Sequence, residues 1–142
     1  MAIDYGAEQI CDRIPQESYA VLRSALPRVK LVQVLHVTGP EMIEEARLIQ
    51  SQIDAILLDS GNPQAAVREL GGTGRIHNWE ISRSVCRSVT CPVFLAGGIN
   101  ANNVKEAITV VKPFGIDLCS GVRTRDMLDE KKLDAFFSRL GI

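Results

Sequence analysis

Short apolar runs alternate with longer amphipathic segments along most of the chain. The runs are nearly continuous in apolar character, as in strands of a parallel sheet that are covered on both faces. They fall at residues 29–37, 53–59, 92–96 and 115–120, with a weaker candidate at residues 7–11. The pattern predicts an α/β fold in which parallel strands alternate with helices.

The segments between the runs have helical periodicity. Val104, Ala107, Ile108 and Val111 share one face of a helix, for example, and Asn100 is placed to cap it. The predicted helices span residues 15–26, 41–50, 79–89, 101–111 and 129–140. Helices and strands together predict four βα units and the last strand of a fifth.

The number of strands limits the architecture. A closed (βα)8 barrel needs eight strands and about 250 residues, and this chain of 142 residues has roughly half of that. Two arrangements remain open for a single domain over residues 1–142. One is a doubly wound open sheet that is complete in itself, and the other is a half-barrel that associates with another chain.

Charge and cysteine content exclude several classes of protein. The 16 Lys and Arg residues nearly balance the 17 Asp and Glu residues, so we expect neither a nucleic acid nor a membrane surface as partner. No apolar run approaches the roughly 20 residues of a membrane-spanning helix, and the chain starts without a targeting pattern, so we expect it in the cytoplasm. The four cysteines form no Cys-x-x-Cys pair and the two histidines lie far apart, so we expect no metal site.

Three glycine-rich loops follow three of the predicted strands. They contain Gly71 to Gly74, then Gly97 and Gly98, then Ser120 and Gly121. Each loop alone is compatible with a tight turn. Together they favour a phosphate site within residues 53–125, because glycine lets backbone N–H groups approach an anion and barrels bind phosphate after their last two strands.

Asp59 ends an apolar strand, where burying a carboxylate is costly unless the group is paired or used. It is a candidate general acid. An Asp that only hydrogen-bonds its own loop, Ser60 to Pro63, fits the sequence equally well.

Five motifs in order give the chain a family resemblance. They are Ala55-Ile-Leu-Leu-Asp-Ser, Gly71-Gly-Thr-Gly with Trp79, Phe94-Leu-Ala-Gly-Gly-Ile-Asn, Lys112-Pro-Phe-Gly-Ile-Asp and Ser120-Gly-Val. This series resembles the C-terminal part of phosphoribosylanthranilate isomerase, from about the fourth or fifth strand to the eighth. The resemblance implies a TIM barrel that lacks its first strands and an Amadori rearrangement of a phosphorylated ribose derivative in tryptophan biosynthesis, without a cofactor.

The resemblance also implies roles for individual residues. Asp59 resembles the general acid that protonates the furanose ring oxygen, whereas the family's general base, a cysteine on the first strand, has no counterpart here. The phosphate would be held by Gly97, Gly98, Ser120 and Gly121. The mobile loop over the substrate would contain Gly72, Thr73, Gly74 and Arg75, although Arg75 to Asn78 departs from the usual lysine, threonine, phenylalanine and aspartate.

Half-barrel symmetry suggests a substitute for the missing base. If two copies closed one barrel, His36 of one copy could face Asp59 of the other and act as the base. A structural histidine at the end of a strand is the favoured alternative. An isomerase completed by a second copy or by another chain segment, a non-catalytic phosphosugar-binding module, and a piece of a longer enzyme all remain open.

Overall fold

A five-stranded parallel sheet forms the centre of the fold in the computed structural model, which describes residues 6–60 and 78–142. The strands are β1 (Ala7–Ile10), β2 (Lys30–His36), β3 (Ala55–Asp59), β4 (Val93–Leu95) and β5 (Gly115–Ile116). The expected α/β class is confirmed.

In the described part of the chain, five helices connect or follow these strands. They are α1 (Gln16–Ala25), α2 (Glu41–Ile49), α3 (Trp79–Ser88), α4 (Val104–Val111) and α5 (Glu130–Leu140). Two of them begin at side-chain caps, which satisfy backbone N–H groups of the first turn. The Asn78 side chain accepts hydrogen bonds from the first turn of α3, and the Asp129 side chain does so in α5.

The order of the strands decides between the two predicted arrangements. The sheet runs β1-β2-β3-β4-β5, so each strand pairs in parallel with its neighbour in sequence. A doubly wound sheet would reverse direction at a switch point. The described strands therefore form one side of a (βα)8-type barrel rather than an open sheet that is complete in itself.

The two faces of this sheet have different surroundings. Leu31, Leu35, Ile56, Leu58 and Leu95 belong to a large buried cluster that also contains the buried residues of the helices. Strand residues of the opposite parity form a second cluster without helical members: Val34, Leu57 and Ala96, with Val32 and Phe94 packed against them. The helices thus cover the outer face, and the second cluster lies on the face that points into a barrel.

The end of the chain differs from the prediction in three details. The strand expected at residues 115–120 is limited to β5, because after Asp117 the chain turns into a short 3-10 helix at Ser120–Val122. Asn100 does not cap a helix that begins at residue 101; its side chain accepts from the N–H of Asn102, and α4 begins at Val104. A small unpredicted antiparallel hairpin pairs β6 (Arg123–Thr124) with β7 (Met127–Leu128).

Buried polar contacts tie the first units together. Gln33 is 1% exposed; its amide nitrogen donates to the carbonyls of Ile10 and Asp12, and its amide oxygen accepts from the Tyr19 hydroxyl at 2.7 Å. These bonds fix the loop after β1 and helix α1 against β2. Within the described residues, no helix is long and apolar enough to cross a membrane.

Asp54, just before β3, is held by three donors. Burial alone would raise the pKa of its carboxyl group, but hydrogen bonds from the Leu31 N–H, Lys30 and Arg23 lower it. The ion pairs to Arg23 and Lys30 measure 2.6 and 3.1 Å. Asp54 therefore links three segments at the end of the sheet opposite to Asp59.

Candidate active site

Side chains of one parity converge where the parallel strands end. His36 ends β2 and Asp59 ends β3, and the two are direct register partners. Asp117 follows β5 and has the same parity as Gly115, which pairs with Phe94. Since Phe94 belongs to the inward cluster, these polar groups lie at the carboxyl end of the inward face, where barrel enzymes carry their active sites.

Asp59 is buried, with 7% of its surface exposed. Its Oδ1 accepts a hydrogen bond of 2.7 Å from the backbone N–H of Ser60. Among the described residues, no ion pair neutralises this carboxylate. The bond to Ser60 is the loop contact anticipated from the sequence, yet it uses one oxygen only and leaves Asp59 at the wall of a cavity.

His36 lies beside Asp59 in the same chain and is 8% exposed. Its Nε2 is 3.3 Å from the carbonyl oxygen of Cys11, whereas Nδ1 is buried and has no hydrogen-bond partner among the described residues. A ring nitrogen that faces a carbonyl has to carry the proton to make a hydrogen bond. In the neutral ring, Nδ1 then keeps its lone pair.

The glycine-rich loops after β4 and β5 come into close contact. Gly97 has a φ of 81°, and a Cβ there would lie 2.7 Å from the backbone nitrogen of Ser60. A Cβ on Gly121 would lie 1.9 Å from the carbonyl oxygen of Ile99. Glycine at these positions therefore allows the loops after β3, β4 and β5 to approach one another at a shared rim.

Two concave spaces meet at this rim. The smaller, about 40 Å³, lies between Asp59, Gly97, Gly98, Asp117 and Ser120. The larger cleft, about 550 Å³, is lined by Gly98, Ser120 and Gly121 and extends to Lys132 on α5. Gly98 and Ser120 line both spaces, so the predicted phosphate-binding residues and Asp59 come together at one location.

Two of the lining residues were missed by the sequence reasoning. The sequence motif includes Asp117 without indicating a role for it, although Asp117 follows a short apolar strand just as Asp59 ends one. Asp117 is an exposed residue, but partial burial of its carboxyl group and the neighbouring charge of Asp59 raise the pKa of that group. Lys132 donates to the carbonyl oxygen of Arg123 at 2.6 Å, and no local sequence signal connects it with the glycine loops.

The expected lid falls outside the described residues. Gly72, Thr73, Gly74 and Arg75 all lie between residues 60 and 78. Their assignment therefore stays a prediction from the motif.

Comparison with known proteins identifies the family. The family model for N-(5'-phosphoribosyl)anthranilate (PRA) isomerase matches residues 9–139. The chain belongs to the PRA isomerase family. A PRA isomerase from Methanosarcina mazei is 39% identical over 124 residues, which are 87% of this chain and 54% of that protein. One from Nostoc punctiforme is 37% identical over 137 residues, or 96% of this chain and 62% of the relative.

Solved PRA isomerases share the fold. The crystal structure of the Thermotoga maritima protein is 27% identical with a TM-score of 0.76, and the match covers 96% of this chain and 62% of that one. The Thermus thermophilus protein has the same TM-score at 25% identity, with 96% and 60% covered. The predicted TIM-barrel-like fold is confirmed, and the chain spans a little over half the length of the PRA isomerases that it matches.

Proposed function

We propose that the chain carries the acid-catalytic and phosphate-binding part of a PRA isomerase, an enzyme of tryptophan biosynthesis that isomerises a phosphorylated ribose derivative. The observation that carries this proposal is the shared cavity wall: Asp59 lies in one space with Gly97, Gly98 and Ser120. A phosphate at the glycine rim would hold a ribose with its ring oxygen toward the carboxyl group. Membership in the PRA isomerase family supports the same reaction.

The phosphate would be bound mainly by backbone groups. Within residues 6–60 and 78–142, the N–H groups of Gly97 and Gly98 donate to no protein acceptor. Gly98 and Ser120 would hold the anion where the two spaces meet, and Gly121 keeps the rim narrow. Backbone donors suffice for this task because N–H groups at a tight loop attract an anion without net charge.

Asp59 would act as the general acid. Its carboxyl O–H bond breaks as the proton moves to the furanose ring oxygen. The C–O bond opens with its electron pair on that oxygen, and the lone pair of the substrate nitrogen forms a C=N bond to the carbon left behind. Removal of a proton from the neighbouring sugar carbon gives an enolamine, which loses its enol proton and gains one on the first carbon to become the ketone. No cofactor is required, since the reaction needs only proton transfers and the opening of one C–O bond.

His36 is the candidate base within this chain. It lies next to Asp59, and its Nδ1 keeps a lone pair while Nε2 faces the Cys11 carbonyl. An imidazole is well matched to proton abstraction near neutral pH. The alternative is a base from the part of the barrel that closes the sheet, and turnover assays distinguish the two origins of the base.

Closure of the barrel is best explained by a piece with three strands. Eight strands are needed, and five are described here. A second copy would bring five more, which is two too many. The Nostoc punctiforme relative has about 38% of its length outside the match, which corresponds to about three βα units of a 250-residue barrel.

Association of completed barrels is a separate matter. The Thermotoga maritima PRA isomerase is described as dimeric, and we propose that this chain forms a homo-oligomer once its barrel is closed. The reaction would take place in the cytoplasm. The loop containing Gly72, Thr73, Gly74 and Arg75 would cover the substrate.

Turnover of phosphoribosylanthranilate tests the proposal. The chain would be assayed alone and together with a polypeptide for the unmatched part of the Nostoc punctiforme relative, beside the Asp59→Asn and His36→Ala variants. We expect Asp59→Asn to lower turnover by about 10² or more. Activity of the chain alone that is lost in His36→Ala would identify the base, and activity only in the mixture would place the base in the added polypeptide.

Two outcomes would contradict the proposal. Ribose 5-phosphate binding without turnover in either preparation would indicate a phosphosugar-binding module. Wild-type turnover that is unchanged in Asp59→Asn would exclude Asp59 as the acid. The molecular mass in solution tests barrel closure independently. A chain that dimerises alone but does not bind the added polypeptide would contradict closure by a three-stranded piece.

A further inference from the structure

Asp117 lines the same small cavity as Asp59, and the reaction proposed for Asp59 gives Asp117 no role. The two carboxyl groups come from β3 and from the chain just after β5, with β4 between them. Asp117 is fixed there by its own backbone, because its N–H donates to the Leu95 carbonyl at 2.9 Å. Among the described residues, neither carboxylate has a cationic partner.

The cavity between the two carboxyl groups is small. At about 40 Å³ it has room for a few waters or for a polar substituent of the substrate. A ribose that is held at Gly98 and Ser120 would therefore present an oxygen atom to a space that both carboxyl groups line.

We propose that Asp117 is a further catalytic residue that forms a carboxyl pair with Asp59, and that Asp117 holds the proton of this pair. The inference rests on the reaction proposed above and adds a second acid to it. The O–H bond of Asp117 breaks as its proton moves to Asp59, and Asp59 passes a proton to the ring oxygen. The pair thereby goes from one negative charge to two, until it takes up a proton again.

The surroundings explain which member holds the proton. The Asp59 carboxylate accepts a hydrogen bond from the Ser60 N–H, and this bond favours the ionised form of Asp59. Asp117 has no such donor within the described residues. The residue as a whole is exposed, yet partial burial of its carboxyl group and the charge of Asp59 raise its pKa. Among the described residues, the other titratable groups at this end are Cys119, which lines the same cavity, and His36 beyond Asp59. The loop after β4 contributes Ala96, Gly97, Gly98 and Ile99, none of which titrates.

Carboxyl ¹³C NMR of aspartate-labelled protein tests the pair without any need for turnover. The Asp117 signal, assigned from its loss in Asp117→Asn, should titrate above the ordinary value of 3.8 in the wild type. In Asp59→Asn it should move toward that value, because the neighbouring charge is gone. Asp134→Asn, on the exposed face of α5, serves as the control and should leave the signal in place. If the pKa of the Asp117 signal is the same in the wild type and in Asp59→Asn, the carboxyl pair is overturned.

The pH dependence of turnover tests the catalytic role. Asp117→Asn should lower kcat by about 10-fold to 100-fold with a smaller change in KM, and Asp117→Glu should recover part of the rate. If the wild type turns over substrate and Asp117→Asn has the same kcat and pH profile, this role is overturned while the proposed isomerase stands. Absence of wild-type turnover, with and without the added polypeptide, would overturn both.

Discussion

Replacement of Gly121 by alanine tests whether the rim is a binding site that depends on close packing. The new Cβ would lie 1.9 Å from the Ile99 carbonyl oxygen and 3.2 Å from the Asn100 Cα. Carbon and oxygen atoms that are not bonded normally stay about 3.3 Å apart, so the two loops would have to separate by roughly 1.4 Å. All the contacted atoms belong to the backbone, so no side chain can rotate away to relieve them.

The expected consequence is a wider rim. Overpacking of this kind costs about 1–3 kcal/mol of stability, and a displacement of about 1 Å at a site can cost about 10²-fold in function. We therefore expect Gly121→Ala to bind ribose 5-phosphate at least tenfold more weakly by calorimetry, or about 1.4 kcal/mol. A thermal melt measured in parallel establishes that the variant is still folded.

Gly6 provides the matched control. A Cβ at Gly6 meets nothing within 4 Å, and this residue precedes β1, away from the rim. Gly6→Ala should therefore bind as the wild type does. Equal affinity in the Gly121→Ala and Gly6→Ala variants would refute the assignment of the rim as the phosphate site.

Three further predictions concern stability and reactivity. Gln33→Leu leaves buried carbonyl groups without donors and should lower the free energy of unfolding by about 2–3 kcal/mol, whereas Tyr19→Phe should lower it by about 1 kcal/mol. Urea denaturation measures both values. Equally small effects of the two variants would contradict the hydrogen-bond network around Gln33. Asp54→Asn should destabilise the protein near neutral pH. Because folding lowers the pKa of Asp54, this loss should fade as the pH falls through that lowered value, and a loss that persists in acid would exclude the ion pairs as its cause. Burial raises the pKa of the Cys86 thiol to about 11, so at pH 8 it should react with iodoacetamide far more slowly than the exposed Cys119, as mass spectrometry of the peptides would report.

The architecture could be predicted from the sequence because its signals are local. Apolar runs located all five parallel strands of the described residues, and the helices were predicted to within one residue of their observed bounds, with α4 as the exception. There the expected cap at Asn100 preceded the helix by several residues, since residues 101–103 form turns before Val104. The β6–β7 hairpin went unpredicted because Arg125 and Asp126 adopt positive φ values of 52° and 61° without a glycine to signal the turn.

The candidate site was predictable in part. Asp59 and the glycine rim could be named because each carries a motif in one stretch of sequence. The pairing of His36 with Asp59 could not, since register depends on how strands align and not on their spacing. Asp59 and Asp117 reach one cavity from strands that are two apart in the sheet, and two carboxyl groups brought together in this way have no signature in any single segment.

The consecutive order of the strands has a consequence for how the protein folds. Ala7 pairs with Lys30 and Val32 with Ala55, so each of these partners follows 23 residues later in the chain. Contacts over such short separations favour rapid folding, and each unit can dock on its predecessor while the ribosome is still adding the next. Among the described strands β5 is synthesised last, and two ladder residues hold it against β4. The edge that carries Asp117 should therefore be the first to exchange its amide hydrogens and the final one to become ordered.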